Sequence, residues 1–524
     1  MWLKRAGMGI LLRWMARHRS IGGRTLRGLA RLKHAYQTIG IPTKESLMPD
    51  FVRRSIATLS AVLLALLTLA CSDEAQRDIQ RAALEKVGDL ATEQMANATG
   101  AHARAGGDSG RDGKNHSRDF FSIPIEVRQL ADNVYQARGV GNTQMIVTSE
   151  GLVIYDTGLA IQAAKQRRLL LEAVPDLPVT HVILSHSHAD HASGAKTWLE
   201  PGIELVAHHE FEEEQRYLKE LEPFYHGRNR MLFPFMPEEA PTIEILAFGG
   251  LVPTMTVDQP DILTIEQGGT VLELLPTPGA EGADNLTLWL PKEKIFFSGD
   301  FFGPNFPQFP NVFTMRGEKV RKPIEYIESL NQVIALEPEM IVPSHQDPVV
   351  GKEQIKADLI KMRDAVQYVH DRTMEGMNAG KTVYELMAEI SLPPELKMTE
   401  IHGRVSWAVK SIWEYYATWF HWDTTTELYH VPRTALFPEV VALAGADALV
   451  DAAGAHISAG RNIEAIHLLE MVHEADPTHA RGLAAHKQAL TNMRDAAIAT
   501  TNNTYEIDWL SYRLRTLESI GADG

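Results

Sequence analysis

Four metal-binding side chains fall within six consecutive positions of this chain. His186, His188, Asp190 and His191 form the pattern His-x-His-x-Asp-His. Alternate residues of an extended segment point to the same side, so His186 and His188 can converge on one ion. Asp190 and His191 follow in the next turn and can bind a second ion. Because imidazole and carboxylate ligands suit zinc and similar metals, the pattern predicts a metal site rather than an ordinary polar loop.

The sequence around this motif predicts a layered α/β domain. Residues 180–184 form a short apolar run that ends directly before the histidines, and residues 161–173 have the pattern of an amphipathic helix. Strands interspersed with helices in this way indicate an α/β fold. Further short apolar or alternating runs predict strands at 134–137, 144–148, 152–155, 204–207, 270–275, 286–290, 295–297 and 340–342.

The histidine motif resembles that of the metallo-β-lactamase superfamily. This resemblance implies an αββα sandwich with a two-metal site at one edge of its sheets. Residues 152–158 (Leu-Val-Ile-Tyr-Asp-Thr-Gly) look like the superfamily's early strand that ends in Asp-Thr-Gly. By the same resemblance, Asp156 orients the histidine loop, which is the usual role of a carboxylate behind the ligands.

The resemblance also implies three ligands at later strand ends. Glu281 follows the strand predicted at 270–275, in a Thr-Pro-Gly-x-Glu segment where most of the superfamily has a His. Asp300 follows 295–297, and His345 follows 340–342. Asp300 is expected to bridge the two ions. The first ion is then assigned His186, His188 and Glu281, and the second is assigned Asp190, His191 and His345.

Several segments resemble one branch of the superfamily, the alkylsulfatases. Glu281 in its Thr-Pro-Gly-x-Glu context and residues 311–317 (Asn-Val-Phe-Thr-Met-Arg-Gly) match patterns of that branch. Residues 371–380 and 403–420 are similar to its entry into, and part of, a helical dimerisation domain. The resemblance covers roughly 125–520. It implies a catalytic domain at 120–370, followed by an all-α dimerisation domain at 371–524 and a homodimer.

The last third of the chain has helical periodicity. Residues 442–459, 462–474 and 479–500 are rich in Ala and Leu, and Gly460 and Pro477 separate them. These spacings predict successive helices of the kind found in helical hairpins. Any helical bundle has this pattern, so the assignment to a dimerisation domain depends on the resemblance.

The resemblance to the alkylsulfatases implies the hydrolysis of alkyl sulfate esters to alcohol and sulfate. Two divalent ions, expected to be zinc, lower the pKa of a shared water and supply hydroxide at neutral pH. Asp190 and Asp300 are the expected catalytic carboxylates through the ions that they bind. The anionic head group of the substrate is assigned to the guanidinium of Arg316, with Asn311 and Asn285 as neutral donors. Trp407 and Ala408 stand where this branch usually has His-Asn.

The N-terminus predicts export rather than a folded domain. Residues 1–70 hold twelve Lys or Arg and two acidic residues, and 56–70 form a short apolar run after Arg53 and Arg54. This arrangement is typical of a signal peptide, assigned to 48–71. Ala70 before the lone Cys71 resembles a bacterial lipoprotein cleavage site, which implies lipidation of Cys71. A plain signal peptide and a buried cysteine are the alternatives.

The neighbouring segments complete the predicted domain plan. Residues 1–47 precede Met48 and are interpreted as an over-extended, non-native start or as a basic arm. Residues 72–97 look helical, and 72–119 as a whole are interpreted as a flexible tether because 101–119 are rich in Gly, Asp, Ser and Arg. The expected location is the periplasm or the outer membrane, through a lipid anchor.

Composition limits the remaining function classes. The 524 residues carry a net charge of −16, which argues against nucleic acid as a partner. One cysteine excludes a disulfide framework within the chain. Two alternatives to an alkylsulfatase stay open at this stage. One is a hydrolase of the same fold that acts on another ester, a lactone or a β-lactam. The other is a membrane-tethered binding protein without catalysis.

Overall fold

Two β-sheets pack face to face in the computed structural model of the chain. The structure describes residues 73–100, 121, 123–233, 235–239, 246, 248–279, 281–313 and 315–523. The predicted arm at 1–47, the signal peptide at 48–71 with Cys71, and part of the tether, 101–119, lie outside the described residues. These predictions therefore stay predictions.

The first sheet has seven strands in the order of the chain, β1 to β7. Its first four strands are antiparallel, and β4, β5, β6 and β7 run parallel. The parallel pair β4–β5 needs a crossover, which an α-helix supplies. The bounds are β1 Val127–Ala131, β2 Val134–Ala137, β3 Thr143–Thr148, β4 Gly151–Tyr155, β5 Val179–Ile183, β6 Glu204–His208 and β7 Met255–Val257.

The second sheet has six strands in the order β13-β12-β11-β10-β9-β8. Gly268 and Gly269 form the two-residue turn between β8 and β9. Both have positive φ, which a tight hairpin turn of this kind requires and glycine adopts without strain. The bounds are β8 Leu263–Gln267, β9 Thr270–Pro276, β10 Leu286–Leu290, β11 Ile295–Gly299, β12 Met340–Pro343 and β13 Val349–Val350.

Helices cover both outer faces of the two sheets. Ile146 and Val153 of the first sheet meet Leu274 and Phe297 of the second in the central core. Helix α2 packs outside the first sheet, where Leu170 belongs to a second core. The catalytic-region helices are α1 Asp73–Gly100, α2 Ala160–Ala173, α3 Ala189–Ala192, α4 Ala195–Trp198, α5 Phe211–Glu220, α6 Glu222–Leu232, α7 Pro323–Leu336 and α8 Lys352–Asn378. The predicted αββα sandwich is thus confirmed.

The rest of the described chain is helical, as predicted. Predicted helix 442–459 is divided at Gly445, whose positive φ ends one helix and begins the next. The bounds are α9 Val383–Glu389, α10 Val405–Ala417, α11 Phe437–Ala444, α12 Ala446–Ser458, α13 Asn462–Ala475, α14 Ala480–Ala499 and α15 Thr504–Asp523, with short 3-10 helices at Pro394–Leu396, Thr425–Leu428 and Arg433–Leu436.

No single helix within the described ranges is both long enough and apolar enough to cross a membrane. One sharply bent pair, Arg433–Ala444 with Ala446–Ser458, has the length and hydropathy of a membrane span only when its two helices are taken together.

Helix α1 differs from the expected tether. It packs along α2, and Leu84 is buried there. Arg168 of α2 donates to Glu85 at 2.7 Å, and Lys165 donates to Asp89 at 2.7 Å. Gly88 permits the close approach, since a Cβ there would lie 1.7 Å from the Ile161 carbonyl oxygen. Residues 73–100 are therefore a docked helix rather than a tether.

A buried histidine in α14 predicts acid sensitivity of the helical region. Burial, then Arg513 and His473, lower the pKa of His486 to about 4, and neither ring nitrogen has a hydrogen-bond partner. The unfolded chain takes up this proton near pH 6.5. Above pH 6.5 the ring is neutral in both the folded and the unfolded chain. As the pH falls from 6.5 toward 4, the unfolded chain takes up the proton and the folded chain does not, so the free energy of unfolding decreases. Between pH 7.5 and 5, the free energy of unfolding should therefore decrease by about 2 kcal/mol less in His486→Leu than in the wild type.

Thermal unfolding followed by circular dichroism at both pH values tests this expectation. The exposed His430→Leu is the matched control and should keep the wild-type acid sensitivity. An unchanged pH dependence in His486→Leu would contradict the prediction.

Candidate metal centre and substrate site

The predicted metal ligands lie where strands of both sheets end. The histidine segment follows β5, Asp300 follows β11 and His345 follows β12. Gly141 lets the loop after β2 pass directly beside this segment, because a Cβ there would lie 1.9 Å from the Asp190 carbonyl oxygen. The fold therefore brings together residues that are up to 159 positions apart between His186 and His345.

Two imidazoles and two carboxylates meet at the centre of the site. His345 Nε2 lies 3.3 Å from both Asp190 Oδ2 and Asp300 Oδ2. His191 Nε2 lies 3.6 Å from Asp190 Oδ2 and 3.5 Å from Asp300 Oδ2. Ligand atoms of Asp190, His191 and His345 lie within 4.8 Å of one another, and so do those of His186, His191 and Asp300. His191 belongs to both groups.

Asp156 holds the histidine segment from behind. It follows β4, is buried, and accepts hydrogen bonds from the Ser185 backbone N–H at 2.8 Å and the Ser185 hydroxyl at 2.9 Å. The same carboxylate accepts from His191 Nδ1 at 2.9 Å and the Ser344 hydroxyl at 2.5 Å. One carboxylate therefore ties the segment after β5 to the segment after β12.

Outer contacts engage the Nδ1 atoms of three histidines, and of their Nε2 atoms that of His186 lies 2.8 Å from His188 Nδ1. His191 Nδ1 donates to Asp156, and His345 Nδ1 donates to the Val140 carbonyl at 2.6 Å. The Ser185 hydroxyl donates to Asp156, so it accepts from His186 Nδ1 at 2.9 Å. A proton on Nδ1 leaves the Nε2 lone pair for a metal, which is the usual arrangement of ligating histidines.

The charges of the site are strongly coupled. Burial raises the pKa of Asp300, but His345 and His191 outweigh it and hold that pKa well below its usual value. Burial lowers the pKa of His345, while Asp300 and Asp190 raise it to about 10. The carboxylates thus stabilise positive charge on the two histidines, and the histidines stabilise negative charge on the carboxylates. A divalent cation offers the same compensation to the two carboxylates.

The residues present fit a divalent metal. His191 Nε2 and Asp300 Oδ1 are buried without a hydrogen-bond partner, although each belongs to a group that offers converging ligand atoms. Imidazole nitrogen with carboxylate oxygen is a donor set of zinc and related ions. The described atoms thus support metal binding, while the number and identity of the ions stay predictions.

Two predicted ligands have other contacts. His188 Nδ1 lies 2.8 Å from His186 Nε2, and His188 Nε2 faces Glu318 at 3.3 Å. Glu281 is buried, and its Oε2 accepts a hydrogen bond from Arg321 at 2.8 Å. The structure therefore places His188 beside the group of converging ligand atoms and places Glu281 in an ion pair outside it.

Asp284 is a buried carboxylate that the sequence pattern did not single out. It lies close after Glu281, lines the same recess as His188, and its Oδ2 has no hydrogen-bond partner. Burial, then the charge of Glu214, raise the pKa of Asp284 to about 7. An Asp shortly after the Thr-Pro-Gly-x-Glu segment was the available signal, but spacing alone does not distinguish it from Glu281.

The three predicted substrate-binding residues differ in their hydrogen-bond and ion-pair partners. Arg316 pairs with Glu318 at 3.0 Å, and its NH2 lies 3.4 Å from His188 Nε2. Asn311 is buried, and neither side-chain polar atom has a hydrogen-bond partner. Asn285 Nδ2 donates to the Thr277 hydroxyl at 2.8 Å, which stabilises the segment between β9 and β10. Arg316 and Asn311 thus have donors for a ligand, whereas this bond of Asn285 is structural.

A recess opens beside His188 toward solvent. Its walls come from the segments around Asp284 and Glu318 and from α5, with Lys319 and Lys322 among the lining residues. Carboxylates outnumber cations in its lining, with Glu214, Glu281, Asp284, Glu318 and Glu325 against Lys319, Arg321 and Lys322.

Another His/Asp group lies away from this centre. His208 and His209 approach Asp258, and their ligand atoms lie within 4.8 Å of one another. However, His208 Nδ1 accepts a hydrogen bond from the Glu210 backbone N–H at 3.1 Å. The ring proton is then on Nε2, which faces Asp258 at 3.8 Å, so His208 does not offer that lone pair to a metal.

Comparisons with known proteins agree with this fold and site. Residues 137–345 match the metallo-beta-lactamase superfamily, and residues 382–511 match the alkyl sulfatase dimerisation family. These matches define an αββα metal-site domain joined to a helical domain. The chain therefore carries a metallo-beta-lactamase domain followed by an alkyl sulfatase dimerisation domain, and the predicted resemblance is confirmed.

Curated relatives of this chain are named as alkylsulfatases or alkyl/aryl-sulfatases. A linear primary-alkylsulfatase of Pseudomonas sp. is 28% identical over 350 residues, which are 59% of this chain and 62% of the relative. The alkyl/aryl-sulfatase BDS1 of Saccharomyces cerevisiae is 24% identical over 415 residues, 74% of this chain and 63% of the relative. The chain thus spans less than two thirds of the length of each.

A solved structure supports the fold. The stereoselective inverting sec-alkylsulfatase Pisa1 from Pseudomonas sp. has a TM-score of 0.68 at 22% identity. The match covers 81% of this chain and 70% of that protein. At this identity the likeness is evidence of shared fold.

Proposed function

We propose that this protein is a binuclear metal-dependent hydrolase that cleaves alkyl sulfate esters to alcohol and sulfate. The observation that carries the proposal is the convergence of His186, Asp190, His191, Asp300 and His345 at the ends of strands from both sheets. The alkylsulfatase names of the curated relatives support the substrate class.

The residues of the centre would bind the metal ions or position the metal ligands. His186, Asp190, His191, Asp300 and His345 would hold the metal ions. Two bound divalent ions would supply Lewis acidity and a water of lowered pKa. Asp156 fixes the tautomer and orientation of His191, because its carboxylate accepts the Nδ1 proton.

Other residues of the chain would bind the substrate. The guanidinium of Arg316 and the amide of Asn311 would donate hydrogen bonds to sulfate oxygens. Arg316 Nε and Asn311 Nδ2 are buried donors without a hydrogen-bond partner, which supports this role. The recess beside His188 would receive the ester from solvent.

Turnover and metal content test the function together. Purified protein should contain divalent metal and should release sulfate from a medium-chain alkyl sulfate. Removal of the metal by a chelator should abolish sulfate release, and added zinc should restore it. Metal without sulfate release, but with hydrolysis of another ester, would contradict the proposed substrate and keep the proposed hydrolase.

We also propose a homodimer, which the dimerisation-family match supports. Trp419, Trp422, Tyr429 and Leu443 expose 67, 85, 67 and 90% of their surface in the single chain. Contiguous exposed apolar patches mark interaction surfaces, and the rings of Trp419 and Trp422 both contact that of Phe420. Light scattering should give twice the chain mass, and a monomeric mass at micromolar concentration would contradict the dimer.

The location remains a proposal based on the sequence of residues 48–71. We infer export and a lipid anchor on Cys71, since two acyl chains give firm membrane attachment. Membrane fractionation of wild type and Cys71→Ser tests this: the wild type should sediment with membranes and the variant should not.

A further inference from the structure

Glu318 forms an ion pair with the guanidinium of Arg316, which the sequence assigns to binding of the substrate. Its Oε1 lies 3.0 Å from Arg316 NH2, and its Oε2 lies 3.3 Å from both Arg321 NH2 and His188 Nε2. The side chain of Glu318 is 10% exposed and that of Arg316 is 18% exposed. The carboxylate therefore already has the contacts that one anionic group of a ligand would make.

The two arginines of this region are matched by two glutamates. Arg321 also pairs with Glu281 at 2.8 Å, so each cation has a carboxylate partner. A sulfate group that reaches Arg316 must then share it with Glu318 or displace that carboxylate. Two negative groups at one guanidinium repel each other, and the partly buried setting screens this repulsion poorly.

Unpartnered donors show that Glu318 does not saturate the region. Arg316 Nε, Arg321 Nε and Asn311 Nδ2 are all buried without a hydrogen-bond partner. Buried donors without partners destabilise a site until a ligand or water accepts from them. The Arg316 side chain is partly exposed, so an anion can reach its guanidinium once the charge of Glu318 is removed or displaced.

We propose that Glu318 is a specificity-determining residue that competes with the sulfate group for Arg316. This inference rests on the proposed function. Glu318 weakens the binding of every small anion at Arg316, including inorganic sulfate, which is the product. The bound ester keeps its apolar tail as a further source of binding, so the competition favours release of sulfate over release of the ester.

Direct binding of inorganic sulfate tests the inference without turnover. In calorimetric titrations, Glu318→Gln should lower the dissociation constant for sulfate about tenfold, because one like charge is removed and the side-chain shape is kept. The same change should lower KM for an alkyl sulfate more than it changes kcat. Unchanged or weaker sulfate binding in Glu318→Gln would overturn the inference.

A double-mutant cycle connects the effect to Arg316. In the Arg316→Ala background, Glu318→Gln should change sulfate affinity by less than about twofold, because the contested guanidinium is absent. Glu318→Ala provides a second removal of the charge and should strengthen sulfate binding in the same direction. An equal gain with and without Arg316 would assign the effect to general charge and overturn the competition.

Two control measurements distinguish competition at Arg316 from a change in surface charge or in metal content. Glu375→Gln removes an exposed carboxylate that pairs with Arg372 in α8 and should leave sulfate affinity unchanged. Metal content should be equal in wild type and Glu318→Gln, since Glu318 also faces His188. Stronger sulfate binding without alkyl sulfate hydrolysis would reject the proposed function alone, whereas hydrolysis without stronger binding would reject this inference alone.

Discussion

Replacing Asp156 with alanine is expected to destabilise the fold by about 3–5 kcal/mol and to remove activity. The carboxylate accepts from the Ser185 backbone N–H, two serine hydroxyls and His191 Nδ1. Without it, these donors are left unpaired in a fully buried position. Asp156 also has a φ of 54°, a backbone conformation that alanine adopts only at a cost. Denaturant unfolding and metal content are the measurements.

Asp156→Asn separates the structural role of this residue from its role at the metal centre. Asparagine keeps the size of the side chain and adopts positive φ readily, and the serine hydroxyls can turn to accept from its amide. His191 loses a charged acceptor, so activity should fall about 10–100-fold while most of the stability returns. Asp258→Asn, an exposed Asp beside His209, is the matched control. Equal activity in wild type and Asp156→Asn would contradict the positioning role.

The sequence predicted the strands that carry the site better than the strands at the sheet edges. The apolar runs that became β4, β11 and β12 are buried between helices and the opposite sheet, so most residues in them are apolar. By contrast, β7 has three residues, β13 has two, and β8 alternates with exposed Thr264 and Glu266. Short or half-exposed strands carry little hydrophobic pattern from which to predict them.

The docking of α1 also has no simple signal in the sequence. Its residues are mostly small or charged, and the contact depends on partners far along the chain, such as Glu200 for Arg81. Gly88 is the feature that permits the close packing against α2. A glycine inside a helical segment predicts lower helix stability by itself, and its packing reason becomes visible only with the partner helix in place.

The predicted site residues divide according to how local their geometry is. The histidine segment could be predicted because its four ligands are neighbours in sequence, and Asp300 and His345 follow strands that end at the same edge. The environment of Glu281 depends on Arg321, which lies 40 positions further along the chain. The pairing of Glu318 with Arg316 likewise depends on how the loop folds rather than on spacing.

These differences leave a clear order of importance within the centre. His186, Asp190, Asp300 and His345 each belong to one of the two converging groups, whereas His191 belongs to both. His191 is also the histidine that Asp156 holds, and the Thr157 hydroxyl donates to its carbonyl oxygen at 2.7 Å. A change at His191 therefore affects both groups of ligand atoms together, while a change at the other four affects one group directly.

His191→Ala is therefore expected to lower metal content and to reduce kcat/KM about a thousandfold or more. The loss of several kcal/mol of transition-state charge stabilisation corresponds to at least this factor, at about 1.4 kcal/mol per tenfold. The exposed His209→Ala is the matched control and should keep wild-type metal content and activity. Metal analysis and steady-state kinetics on the same preparations give both readouts. Full metal content with full activity in His191→Ala would show that the centre described by these five residues does not carry the reaction.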